Sequence, residues 1–228
     1  MTYTVVFMVM LMGTVAWWLV KQTLNQEPWS AADGDPDSVR SEGVRSSTTA
    51  APLPPKKLAL GVFLAVATTL FALFISAYSI RMEYGDWRPM PEPTILWVNS
   101  GILILSSLFL QYAWTSAKRE NMDAVRVGVA GGGVLAVAFI IGQLMAWSQL
   151  SDSGYLVSGN PANAFFYMLT GVHGLHLLGG LIALSKSVRR VWGTSDMATL
   201  QLGTELCAVY WHYLLAIWVI LFGFMLST

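Results

Sequence analysis

The chain has 228 residues, 55% hydrophobic and 11% charged, and its 13 basic residues balance its 13 acidic ones. That balance excludes the basic surface of a nucleic-acid-binding protein, and so low a charge excludes an ordinary soluble domain; a mean hydropathy of +0.56 fits a polytopic membrane protein. The single cysteine, Cys207, excludes an intrachain disulfide and any cysteine-cluster metal site.

Six apolar segments follow in order, each near the ~20 residues that a helix needs to cross the hydrocarbon core. Lipid offers no partner to backbone amides, so each is predicted to be a helix. The first, Tyr3–Val20, lacks the basic start and small-residue cleavage site of a signal peptide. Residues 1–20 therefore read as a retained N-terminal transmembrane helix. Residues 21–57, with "SAADGDPDSVRSEGVRSSTTAAPLPPKK", are rich in Ser, Ala, Pro, Gly and charge, cannot bury a core, and read as a flexible linker.

The remaining segments, within residues 58–228, read as a five-helix bundle. They are Leu58–Ile80, Ile95–Thr115, Val125–Trp147, Ala164–Ser185 and Glu205–Leu226. The fold class is thus an all-α polytopic membrane protein of six spans. Lys and Arg divide between the two sets of connections eleven to two, and basic residues favour the cytoplasm. The larger set holds Lys21, Arg40, Arg45, Lys56 and Lys57, then Lys118, Arg119 and Arg126, then Lys186, Arg189 and Arg190; the smaller holds Arg81 and Arg88. This places the linker in the cytoplasm and both termini on the outer, periplasmic side of a bacterial-type inner membrane.

The fourth segment carries "GGG" at 131–133, which reads as the ordinary abundance of glycine in transmembrane helices. The fifth carries "LTGVHGLHLLGG", residues 169–180, with two of the chain's three histidines, His173 and His176. His212, the third, lies in the sixth segment, seven residues after Glu205, which is the one carboxylate inside an assigned segment. Histidine is costly in lipid and asks for a reason. Three imidazoles can ligate zinc or copper. Two neighbours on one helix cannot take opposite faces of a haem. The reading favoured here is interhelical hydrogen bonding, because the helix centres hold no acids to complete a metal site, a proton relay or a transport path. Glu205 and His212 project from nearly one face, so a Glu–His seam facing the His173–His176 pair, satisfied by mutual hydrogen bonds, is the expected arrangement. Gly171, Gly174, Gly179 and Gly180 beside the histidines are expected to allow close helix packing. Trp17, Trp18, Trp97, Trp114 and Trp147 lie near segment ends, as an interfacial belt does, whereas Trp211 and Trp218 lie deeper and are expected to pack against a neighbouring helix or subunit.

Four motifs in order resemble subunit III of the haem–copper terminal oxidases, the cytochrome c oxidase subunit 3 family. "FFYMLTGVHGLHLLGG" (165–180) resembles its Thr-Gly-x-His-Gly-x-His helix, and "ELCAVYWHYLLAIW" (205–218) its last helix, with Glu, then Tyr-Trp-His, then Trp. "ILWVNSGILILSSLFLQYA" (95–113) is similar through Asn99, Ser106 and Ser107, and "GQLMAW" (142–147) through Gln143. Departures are present: Thr68 stands where the family often has a carboxylate, Ala146-Trp147 replaces a Glu-Tyr, and Leu215 replaces an Asp. The family's long form has seven helices, the first two forming one arm of a V-shaped cleft that holds phospholipid; here one helix and a linker precede five.

The resemblance implies a subunit that holds no haem, copper or other metal and has no catalytic residue of its own. It would pack on oxidase subunits I and II, where the haem and copper lie, bind phospholipid, and support proton uptake and stability while the complex reduces oxygen and translocates protons. His173, His176, Glu205 and His212, with Gln143 and Asn99, would form its polar network. A larger respiratory supercomplex is a further partner, gripped by the extra helix. An accessory subunit of a quinol oxidase or nitric oxide reductase is the alternative. A stand-alone His-ligated metal or haem protein is another, and a transporter is the weakest.

Overall fold

The computed structural model describes residue 17 and residues 55–88, 93–193 and 197–226. The expected N-terminal span and the linker up to residue 54 lie outside the described residues, apart from Trp17. Five helices follow one another: α1 (Pro55–Arg81), α2 (Ile95–Lys118), α3 (Met122–Asp152), α4 (Pro161–Trp192) and α5 (Met197–Leu226). Among the described residues, all five are long and apolar enough to cross a membrane. Each overruns its predicted segment at one or both ends. The apolar run measures the hydrocarbon thickness, whereas the helix continues through polar turns into the headgroup region. The longest extensions at a single end are at α5, which starts at Met197 rather than Glu205, and at α4, which runs on to Trp192 rather than Ser185; α1 takes in Lys56 and Lys57 from the predicted linker.

The bundle is arranged around α5. This helix packs on α1, α2 and α4, and 56% of its most apolar stretch is buried, against 22% for α1. The peripheral α1 turns one stripe inward, Leu64, Ala67, Phe71, Ile75 and Tyr78, at helical spacing. Val62, Val66, Leu73 and Ile80 face outward. Water does not drive such helices together in lipid, so their contact depends on close backbone approach and on hydrogen bonds between them.

The closest approach is between α2 and α3. A Cβ on Gly128 would lie 2.7 Å from Ala113 Cβ and 2.8 Å from both the Ala113 nitrogen and the Phe109 carbonyl oxygen. Gly132 is similarly close to Leu110, and Ser106 Oγ donates to its carbonyl at 2.8 Å. Gly131 sits against the Phe109 ring, and Gly142 against the Asn99 amide. The "GGG" stretch is therefore a packing element in its first two positions, a correction to its reading as general composition. Two residues shape the ends of α3. Asn121 caps it, its side chain accepting from the Ala124 amide at 3.2 Å, and Gly154 beyond it adopts φ 88°, a left-handed conformation open to glycine.

At the far end from Lys57, Tyr78, Trp87, Phe165 and Phe224 form an edge-to-face aromatic cluster. Asn160 Nδ2 donates to the Arg88 carbonyl there, and Arg81 grips Asp86 through both guanidinium nitrogens. Those hydrogen bonds hold the Asp86 carboxyl below its ordinary range.

Gly128→Ala should lower stability by about 1–3 kcal/mol, because its methyl would meet backbone atoms that cannot move aside. Gly133→Ala, whose Cβ would meet just Leu184 at 3.4 Å, should be near neutral. Thermal denaturation of the two detergent-solubilised variants distinguishes them.

Candidate functional site

His173 and His176 are three residues apart on α4, yet they enter different interfaces. His173 is fully buried between the Phe139 ring of α3 (6.0 Å between centroids) and the Trp218 ring of α5 (5.3 Å). Neither of its ring nitrogens has a hydrogen-bond partner among the described residues. His176 is half-buried against Phe63 and Phe71 of α1, and its Nδ1 pairs with the Val172 carbonyl of its own helix at 2.8 Å. His212 behaves alike, its Nδ1 pairing with the Ala208 carbonyl at 2.7 Å. Among the described residues, no three His, Cys, Asp or Glu side chains come together as a metal site would require.

Glu205 pairs with Lys57, and His173, with neither ring nitrogen partnered among the described residues, takes no part in the expected seam. The Lys57 Nζ donates to Glu205 Oε1 at 2.9 Å, and the side chains are 9% and 16% exposed, so this ion pair is largely shielded. It fastens the first turn of α1 to α5. Between α4 and α5 the tie is made by Tyr210, whose hydroxyl donates to the His176 carbonyl at 2.7 Å. Thr68 and Tyr213 hydroxyls meet at 3.1 Å between α1 and α5. Trp218 Nε1 donates to Ser100 Oγ of α2 at 2.9 Å, and Trp147 Nε1 to Thr170 Oγ1 at 3.1 Å between α3 and α4. The Nδ1 atoms of His176 and His212 thus pair within their own helices.

Sequence reasoning missed Lys57, Tyr210 and Tyr213. Tyr210 lay in view within the Tyr-Trp-His motif, and nothing in that motif says which of its polar groups reaches across. Lys57 was hidden by its neighbours, since "PLPPKK" resembles the end of a linker. The glycines divide as well. Gly180 admits Tyr210 and Trp211, whose ring atoms would stand 2.5 and 3.0 Å from a Cβ, and Gly171 is in ordinary contact with Trp147. Gly174 and Gly179 have nothing within 4 Å of where a Cβ would be, which corrects the expectation that they bring helices of this chain together. Trp211 and Trp218 are fully buried inside the bundle.

Between α1, α4 and α5 runs a half-open groove of about 570 Å³, its walls including Leu60, Phe63, His176, Gly179 and Tyr210. Its lining is almost wholly apolar. Lys56 on α1 and Lys186 on α4 are exposed and lie one turn beyond its wall residues Leu60 and Ala183. Chemically this is a slot for a hydrocarbon chain with positive charge at one mouth. His176, Cys207 and Tyr210 are the polar side chains in its lining.

The family model described as cytochrome c oxidase subunit III matches residues 57–227, the whole of the five-helix bundle but its first two residues. The chain is 29% identical over 157 residues to a protein of Mycobacterium tuberculosis (strain ATCC 25618 / H37Rv) named probable cytochrome c oxidase subunit 3, covering 67% of this chain and 76% of that one. It is 29% identical over 170 residues to cytochrome c oxidase subunit 3 of Thermostichus vulcanus, covering 72% and 83%. A Synechocystis protein of the same name is 30% identical over 168 residues, covering 71% and 70%.

Lys57→Met should destabilise the bundle by about 3 kcal/mol, since it takes the ammonium away from a shielded carboxylate, and adding Glu205→Leu should recover most of that loss. Tyr210→Phe should cost about 1 kcal/mol through the lost bond to His176. Denaturation of the three variants in matched detergent gives the comparison.

Proposed function

The chain belongs to the cytochrome c oxidase subunit III family, and from that premise we propose that it is the non-catalytic membrane subunit of an aerobic respiratory haem–copper oxidase. In this reading it packs on subunit I and the haem and copper lie in subunits I and II. What carries it is the family match across residues 57–227, the length of the bundle. The distribution of polar groups is in keeping with it: Glu205 is turned to Lys57, and the groove lining is almost wholly apolar. Electrons pass from a reduced donor to oxygen in the partner subunits, and this chain contributes support.

The groove between α1, α4 and α5 is the lipid site of this proposal. An acyl chain lies against Leu60, Phe63 and Gly179, and an anionic headgroup meets Lys56 and Lys186. The cationic ends of the helices then face the cytoplasm, in keeping with the eleven-to-two division of basic residues. A lipid seated there keeps α1 apposed to α4, where direct contacts are few, and so sustains proton uptake and slows inactivation during turnover.

Two outcomes are expected. A detergent pull-down of the chain should bring down subunits I and II with the visible spectrum of a haem–copper oxidase; a partner with non-haem iron in place of copper would move the chain to a nitric oxide reductase. A Cβ on Gly179 would meet nothing within 4 Å, so Gly179→Leu extends an apolar side chain from the groove wall. The oxidase carrying it should keep its initial rate within about twofold, lose co-purifying phospholipid and inactivate several-fold faster under turnover. Unchanged lipid content and lifetime would place the lipid elsewhere.

A further inference from the structure

Two buried amides and one buried imidazole on neighbouring helices call for explanation. Asn99 on α2, Gln143 on α3 and His173 on α4 are 1%, 5% and 0% exposed. Asn99 Nδ2, both polar atoms of the Gln143 amide and both ring nitrogens of His173 have no hydrogen-bond partner among the described residues. Unpaired polar groups cost about 1–3 kcal/mol each in a protein interior, so three side chains in this state together call for a common partner.

Their placement brings them to one layer. Phe139 of α3 touches His173 of α4, and Trp147 of α3 bonds Thr170 of α4. Gln143 lies midway between Phe139 and Trp147, one turn from each, so it faces the stretch of α4 between Thr170 and His173. Asn99 Oδ1 would be 2.0 Å from a Cβ on Gly142, the residue beside Gln143. The next residue on α2, Ser100, receives the Trp218 indole N–H, and the Trp218 ring packs on His173. Four helices thus meet here, with aromatic rings outside and unmatched donors and acceptors within.

We propose that Asn99, Gln143 and His173 enclose a site for ordered water inside the bundle. A neutral imidazole offers one donor and one acceptor, Gln143 two donors and an acceptor, and the Asn99 NH₂ two donors. Donors are in excess, and water supplies the missing acceptors while donating in turn to the Gln143 oxygen or the bare His173 nitrogen. Buried water makes about three such bonds and is a regular part of protein interiors. The site ties α2, α3 and α4 together where a direct side-chain bond is not made. It rests on this chain's own residues, so its failure would leave the lipid reading standing.

The test is a structure of the intact oxidase at a resolution that shows ordered solvent, for the wild type and for Gln143→Met, an apolar residue of similar shape. The wild type should show a solvent peak within hydrogen-bond distance of both a His173 ring nitrogen and the Gln143 amide, and the variant should lose it. Should the variant not assemble, the wild-type map decides alone. Heat release of the subunit is the second readout: Gln143→Met and His173→Phe should each lower the release temperature by several degrees, and the double variant by less than their sum. A direct His173–Gln143 hydrogen bond, an empty gap between them, a peak identified as metal by anomalous scattering, or strictly additive losses would overturn the proposal.

Discussion

A bilayer interior cannot hydrogen-bond, and that one constraint accounts for most of what the polar residues of this chain do. Hydroxyls on the helices turn back to their own carbonyls: Thr68 to Leu64, Ser79 to Ile75, Ser100 to Leu96 and Thr204 to Leu200. Two histidines do the same with their Nδ1 atoms. What is left over is spent between helices, at Lys57–Glu205, Tyr210–His176, Trp218–Ser100 and Trp147–Thr170. These ties join each helix to at least one other, and they lie at different depths. Their directionality fixes register in a medium where apolar surface alone would let helices slide.

Packing follows from the same constraint. With no water to expel, α2 and α3 gain contact by backbone approach across Gly128 and Gly132, and α5 gains it by burying Trp211, Tyr213 and Trp218. The helix with most of its surface buried is thus the one rich in aromatic residues, whereas the ties of α1, the helix with least, include the Lys57–Glu205 ion pair, the Thr68–Tyr213 hydroxyl pair and one apolar stripe. That asymmetry leaves room beside α1. The lipid proposed for the groove fits that room physically: beside a loosely held outer helix an amphiphile can be both ligand and mortar.

The five spans, their order and their family were legible because they depend on length, apolar runs and motif order, which are local properties. The site was legible in part. His173 stood out as a polar residue in an apolar run, Asn99 and Gln143 came from the motif resemblance alone, and all three are buried. The direction of each side chain was not legible. His173 and His176 differ by about 60° around α4, enough to send one into the core and the other toward α1. Gly174 and Gly179 could not be told from Gly180, since whether a glycine is crowded depends on what stands across the interface. Lys57 was assigned to a linker because its partner Glu205 is 148 residues away, beyond any local pattern.

The central claim is that the imidazoles of this chain are structural and that redox chemistry belongs to its companions. Elemental and haem analysis of the purified chain, separated from its complex and still folded in detergent, tests this most directly. The account predicts iron, copper and zinc all far below one per chain. Stoichiometric metal, lost when His173, His176 or His212 is replaced, would contradict it.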